Sequence, residues 1–275
     1  EDTERIDITS YLARRWGLDS KVDSDGDGLV DLYDGKPTDN SILDYDLSSD
    51  DSIDTLGLVP LDGVPPKDVW LSEGTVTMSA SEERSTISVL LLGEEAGQSS
   101  TFNFSAGHLV ISTMDMGEGI STFNWTGGTL EVSTVNMDLN NKGGELSLVD
   151  GKVSSTYISG NYTQSLTATM SMEVSGNTEG SYDQLVVSGN VTLKGTLSLS
   201  FLPGYQPTEG DSIKIVSCNT TIVHQIDQVT GIGTHRYLKV STANLGKGDI
   251  EFVRNLSDGV PDILREGFFN SSSSL

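Results

Sequence analysis

The sequence predicts a mainly β protein, a β-solenoid closed by a β-rich C-terminal cap and preceded by a short helix and an Asp-rich segment. Three observations lead there. The 275 residues include 30 Gly and only 35% hydrophobic residues, which is poor for a compact helical core but suits many short strands separated by turns. Apolar residues alternate in runs such as Leu193 to Phe201, a pattern that a solvated, disordered chain does not need. A repeat is also visible 21 residues apart: Ser100-Thr101-Phe102-Asn103-Phe104, continuing to Met116, matches Ser121-Thr122-Phe123-Asn124-Trp125, continuing to Met137.

Taken in order, residues 4 to 16 carry Ile8, Leu12 and Trp16 at spacing four, with Thr3 as an N-cap and Gly17 as a stop, and read as one amphipathic helix. No other helix is expected before the C-terminal tail. Residues 23 to 54 are dominated by Asp, and residues 55 to 67 hold three prolines and read as a linker. From about Asp68 the pattern becomes strands of four to six residues with period two, broken by Gly, Asn and Asp. The expected organisation is therefore 1–54 for helix and acidic segment, 55–67 for the linker, 68–252 for the solenoid with its cap, and 253–275 for a tail.

Repeats of roughly 20 to 25 residues made only of short strands cannot bury their apolar side chains alone and do so against neighbouring copies, which is how a β-solenoid is built. Successive strand residues face opposite sides, so Phe102, Phe104, Phe123 and Trp125 are expected to point into the coil and Thr101, Asn103, Thr122 and Asn124 outward. Gly74-Thr75-Val76-Thr77-Met78 reads as an earlier, looser copy of the Gly-x-Leu-x-Val half of the repeat. A β-sandwich with a chance duplication shows the same turn spacing and stays open as the alternative.

The strongest chemical signal is Asp23-Ser24-Asp25-Gly26-Asp27-Gly28-Leu29-Val30-Asp31-Leu32-Tyr33-Asp34. It has the form of a twelve-residue calcium loop, with carboxylates Asp23, Asp25, Asp27, Asp31 and Asp34 at positions 1, 3, 5, 9 and 12, glycine at 6, and the Leu29 backbone carbonyl at 7. Five carboxylates on one loop repel each other unless a divalent cation neutralises them, and an all-oxygen donor set favours calcium over zinc or copper. Position 12 is Asp34 where an EF-hand usually has Glu, and no second helix follows. The segment resembles instead the Asp-x-Asp-x-Asp-Gly-x-x-Asp-x-x-Asp stretches of thrombospondin type 3-like calcium repeats of secreted and surface proteins, over about residues 23 to 46. Calcium in such a loop is structural, since the loop has too little apolar material to fold without it. Asp39, Asp44, Asp46, Asp50, Asp51 and Asp54 either complete a second site or form a solvated acidic spacer. Asp258-Gly259-Val260-Pro261-Asp262 repeats only half of the pattern and reads as a turn, with Arg254 and Leu256 where the first two carboxylates belong.

Four further pieces follow one another: Gly160-Asn161-Tyr162-Thr163-Gln164, Tyr182-Asp183-Gln184-Leu185-Val186-Val187-Ser188-Gly189, Leu193-Lys194-Gly195-Thr196-Leu197, and Gly204-Tyr205-Gln206-Pro207-Thr208-Glu209-Gly210-Asp211. In this order they resemble the terminal portion of bacterial autotransporter-associated β-strand and related right-handed β-helix surface proteins, over about residues 100 to 216. The resemblance implies a right-handed β-helix finished by a less regular β-rich cap, carried by large exported proteins that adhere, scaffold or coat. It brings no catalytic residue set.

Enzymes of the pectin-lyase-like β-helix kind need clustered Asp for calcium on the solenoid wall and an Arg or Lys base, whereas Arg84, Lys142, Lys152 and Lys194 are far apart in sequence. The acids Glu82, Glu83, Glu94, Glu95, Glu118, Glu131 and Glu145 offer glycosidase pairs without distinguishing context. His108, His224 and His235 form no metal spacing or triad signature, and read as surface or cap residues. Cys218 reads as a small buried cap residue; a single cysteine allows no internal disulfide.

Sequons begin at Asn103, Asn124, Asn161, Asn190, Asn219, Asn255 and Asn270, with the first two at equivalent repeat positions on the outward face, where a glycan fits. The same residues also suit turns and strand faces of a polar solenoid. With 16 Lys and Arg against 40 Asp and Glu, the net charge of −24 argues against nucleic acid or an anionic lipid surface as partner. No apolar run approaches a membrane span. A start at Glu1 without a charged-then-apolar leader fits either removal of a signal segment or numbering that begins within a longer chain. The expected role is that of a secreted or cell-surface structural or adhesive protein, with no enzymatic activity, that self-associates or binds other surface proteins. A carbohydrate-binding module is the alternative, and a polysaccharide lyase or hydrolase the third reading.

Overall fold

The N-terminal helix ends where local chemistry requires it to. The structure, a computed structural model, describes residues 2–24, 26, 36–38, 42–46, 52–53, 67–81, 84–148, 151–208, 211–231, 237–241 and 248–253. Helix α1 (Asp2–Trp16) stops at Gly17, whose φ of +65° is left-handed. The Gly17 N–H donates to the Arg14 carbonyl and the Leu18 N–H to the Ala13 carbonyl at 2.9 Å, a Schellman ending. Thr3, expected as the cap, lies inside the helix because α1 already begins at Asp2. The apolar stripe does not face the protein: Ile8, Leu12 and Trp16 are 58%, 44% and 71% exposed, while Ser10 and Ala13 are buried.

Strand is the dominant element, and most of the pairing is parallel. The chain forms two compact units, residues 1–124 and 125–275. The first unit holds β1 (Ile42–Asp46), β2 (Ser52–Ile53), β3 (Lys67–Met78), β4 (Arg84–Leu92), β5 (Ser99–Phe104), β6 (His108–Met116) and most of β7 (Ile120–Trp125). Parallel ladders join strands about one repeat apart, pairing Leu43 with Val69, Val76 with Phe102, and Ile87 with Ile111. Val76, Met78, Phe102 and Phe104 are fully buried, so like sits over like. Phe123 is half-buried, its ring 5.6 Å from that of Phe102 and 6.5 Å from that of Phe104.

Register corrects one reading of the repeat. Gly74–Met78 pairs with Ser100–Phe104, so it copies the Ser-Thr-Phe-Asn-Phe half, and Arg84–Leu92 lies against His108–Met116. A slip by one residue would turn Val76 and Met78 away from Phe102 and Phe104 and expose both. Several strands also exceed the expected four to six residues: β3 has 12. It bends at Gly74, whose φ is +89°, so that one long strand serves as two short sides. The acidic segment is not separate from the sheet, since β1 and β2 both pair with β3. Residues 54–66 and 254–275, which include most of the expected linker and the tail, lie outside the described residues.

The second unit holds β8 (Thr129–Val135), β9 (Leu139–Asn141), β10 (Glu145–Ser147), β11 (Ser155–Ile158), β12 (Tyr162–Gln164), β13 (Thr169–Val174), β14 (Gln184–Val187), β15 (Val191–Phe201), β16 (Ser212–Cys218), β17 (Ile222–Thr230), β18 (Tyr237–Ser241) and β19 (Gly248–Val253). Three rows of buried side chains run through successive parallel ladders: Ile158, Val187 and Cys218; Leu139, Tyr162, Val191 and Ile222; Met170, Leu197 and Val229. The pattern changes at the end, where β19 runs antiparallel to both β16 and β18. Strand β13 is covered on both faces. Met170, Met172 and Val174 are buried on one side, and Ser171 and Glu173 on the other.

Candidate functional site

Of the expected calcium ligands only Asp23 is described. Its carboxylate accepts the Gly26 N–H at 2.7 Å, and Gly26 has φ +79°. Asp25, Asp27, Leu29, Asp31 and Asp34 lie outside the described residues, as do Asp39, Asp50, Asp51, Asp54 and the 258–262 segment. Asp44 is buried on β1 and accepts the Ser72 hydroxyl at 2.7 Å, which makes it a packing contact of the sheet; Asp46 ends the same strand. His108 is half-buried on β6, His224 lies on β17, and Cys218 is buried opposite Val187. His235 lies outside the described residues.

Four of the sequon asparagines belong to side-chain ladders that run from strand to strand. In the first unit the Asn124 amide donates to the Asn103 carbonyl oxygen at 3.1 Å, and the Asn103 amide to the Thr77 hydroxyl at 3.5 Å. In the second, Asn161 donates through its backbone N–H and its side-chain amide to the Asp138 carboxylate. The Asn161 Oδ1 in turn accepts the Asn190 N–H at 2.8 Å, and the Asn190 Oδ1 accepts the Thr220 hydroxyl at 2.9 Å. A Cβ at Gly160 would come within 2.6 Å of the Met137 carbonyl, so glycine is what lets these two segments approach so closely. Asn219 is exposed, and Asn255 and Asn270 lie outside the described residues.

The motif residues also have structural partners. Fully buried Tyr162 donates to the Gln164 Oε1 at 3.0 Å, and the Gln164 amide donates to the Lys194 carbonyl at 2.7 Å. Burial pushes the Tyr162 hydroxyl far above the usual tyrosine range, with a hydrogen bond to Asn141 opposing the shift. Asp211 accepts the Tyr205 hydroxyl, the Thr208 N–H and the Asn177 amide. Desolvation raises its pKa, but these hydrogen bonds outweigh it and hold the carboxyl below the usual range.

A buried polar cluster lies around β13 and β14. The fully buried Asp183 carboxylate accepts the Ser154 N–H through one oxygen and the Glu173 N–H through the other, both at 2.6 Å. Glu173, itself buried, accepts the Gly151 N–H at 2.8 Å. These bonds hold the 151–154 turn and the turn from Ser175 to Tyr182 beside each other, and a cavity of about 460 Å³ opens between them. In the sequence Asp183 stands out only as part of the Tyr182-Asp183-Gln184-Leu185 motif, and Glu173 belongs to no motif. Its signal was an acid in the otherwise apolar and small run Met170-Ser171-Met172-Glu173-Val174.

No protein-family model matches the chain, and no curated protein matches it.

Proposed function

We propose that this chain is a secreted or cell-surface structural protein: a right-handed β-solenoid with a β-rich cap, stabilised by calcium at the Asp23–Asp34 loop, which adheres or assembles into a coat or filament. The observation that carries this reading is the parallel pairing, in each unit, of strands about one repeat apart, with buried side chains in continuous rows. The antiparallel β18–β19 pair beside β16 suits a cap, because an uncovered strand edge recruits other chains. The exposed Ile8, Tyr11, Leu12 and Trp16 on α1 suit self-association.

Sedimentation and electron microscopy of the full chain, with calcium and with chelator, test the proposal. Calcium-dependent polymers that vanish on deletion of residues 1–17 are the expected result. A monomer under all conditions that also takes up no calcium would sink it.

A further inference from the structure

We propose that the cavity between β11 and the 175–182 turn is a binding site for a neutral saccharide. Two tyrosines line it from different elements. Tyr157 projects from β11 and is 53% exposed, although its neighbours Thr156 and Ile158 are buried; Tyr182 is only 8% exposed and forms a wall. A large aromatic held on a strand and left facing solvent beside a cavity offers a flat apolar surface. A pyranose ring has a matching face of C–H bonds, with hydroxyls around its rim that need donors and acceptors.

The rest of the lining supplies those groups. Ser154, Ser155 and Gln184 border the cavity with Glu179. The Gln184 amide donates one of its two protons to the Lys214 carbonyl at 3.0 Å, so its second N–H and its Oε1 can serve sugar hydroxyls. Glu179 is exposed and is the one charged side chain among the described lining residues, so the site disfavours anionic sugars and accepts neutral ones. The volume of about 460 Å³ falls in the range of small-molecule sites, roughly 300 to 1,000 Å³.

The walls are fixed without a ligand. Asp183 ties Ser154 to β13, Glu173 ties Gly151, and the Ser181 hydroxyl accepts the Thr178 N–H at 3.0 Å, closing the turn that carries Glu179. Binding then loses little further freedom. The cavity is built entirely from residues of the second unit and does not depend on polymer formation.

An array of neutral mono- to tetrasaccharides, with sialyllactose as an anionic control, followed by titration of the best-retained sugar, tests the site on the full chain. The expected result is retention of at least one neutral sugar. Tyr157→Ala and Glu179→Gln should each weaken binding roughly tenfold, and Val223→Ala, on an exposed position of β17, should leave it unchanged. Both test positions are exposed, so unchanged melting curves separate loss of binding from loss of fold. Retention of no neutral sugar, retention of sialyllactose alone, or unchanged affinity in both variants would overturn the assignment.

Discussion

The Asp183 carboxylate receives the backbone N–H of Ser154 at 2.6 Å, joining two turns 29 residues apart in the sequence. Asp183 has no exposure and holds the Glu173 N–H as well. A carboxylate in such a place is tolerated because it replaces water for two main-chain donors that the sheet cannot pair.

Asp183→Ala leaves the buried Glu173 N–H without its acceptor, at a cost of about 1–3 kcal/mol, while the N–H of exposed Ser154 can turn to water. Urea denaturation should show the variant about 1–3 kcal/mol less stable. Asp183→Asn should recover part of that, since one carbonyl oxygen remains to accept. Loss of less than 1 kcal/mol in the alanine variant, about one tenth of a typical domain's stability, would mean that water or another acceptor serves these groups.

Gly195 tests the close approach of β15 to the 165–168 segment. Its φ is +71°, and an added Cβ would meet the backbone oxygens of Ala168, Leu166 and Ser165 at 2.5 to 2.7 Å. Left-handed strain of about 1–2 kcal/mol and the clash act together, so Gly195→Ala should destabilise by about 2–5 kcal/mol. The same substitution at Gly97, left-handed but with open space around it, should cost only the strain. Thermal melts of the two variants make the comparison.

The asparagine ladders rank the sequons. The Asn161 amide nitrogen reaches both Asp138 oxygens, at 3.0 and 3.1 Å, and a glycan on that nitrogen would remove one of its two protons. Asn219 is exposed. Mass spectrometry of the native protein should therefore find higher occupancy at Asn219 than at Asn161, and the reverse order would show that the ladder does not restrain modification.

Calcium should stabilise the folded chain by mass action, by about 2.7 kcal/mol when the free ion exceeds its dissociation constant a hundredfold. Chelation should lower the melting temperature of the native sequence and leave that of Asp27→Ala unchanged. Equal melting curves for the native protein with and without chelator would remove the metal from the reading.

Asp211 gives a pH dependence with a definite sign. Its folded pKa is below the unfolded value, so its contribution is present above the unfolded pKa, about 3.9, and is lost as pH falls through the lower folded value. The melting temperature of the native protein should exceed that of Asp211→Asn at pH 7, and the gap should narrow below about pH 4. A gap that is constant with pH would show that the charge is not what Thr208, Asn177 and Tyr205 hold.

The sequence by itself determined the β class, the alternation that buries Phe102, Phe104 and Trp125, and the stop of α1 at Gly17, because each depends on residues close along the chain. It also marked the motifs at Tyr162, Tyr182 and Tyr205, without their partners. Only the tertiary structure decided the register that sets Gly74–Met78 against Ser100–Phe104, the outward turn of Ile8, Leu12 and Trp16, and the meeting of Asp183 with Ser154. Each of these depends on which distant segment arrives alongside, and neither periodicity nor composition carries that information. Tyr157 shows the difference: alternation places it outward on β11, but only the turn held by Asp183 turns an exposed tyrosine into the wall of a cavity.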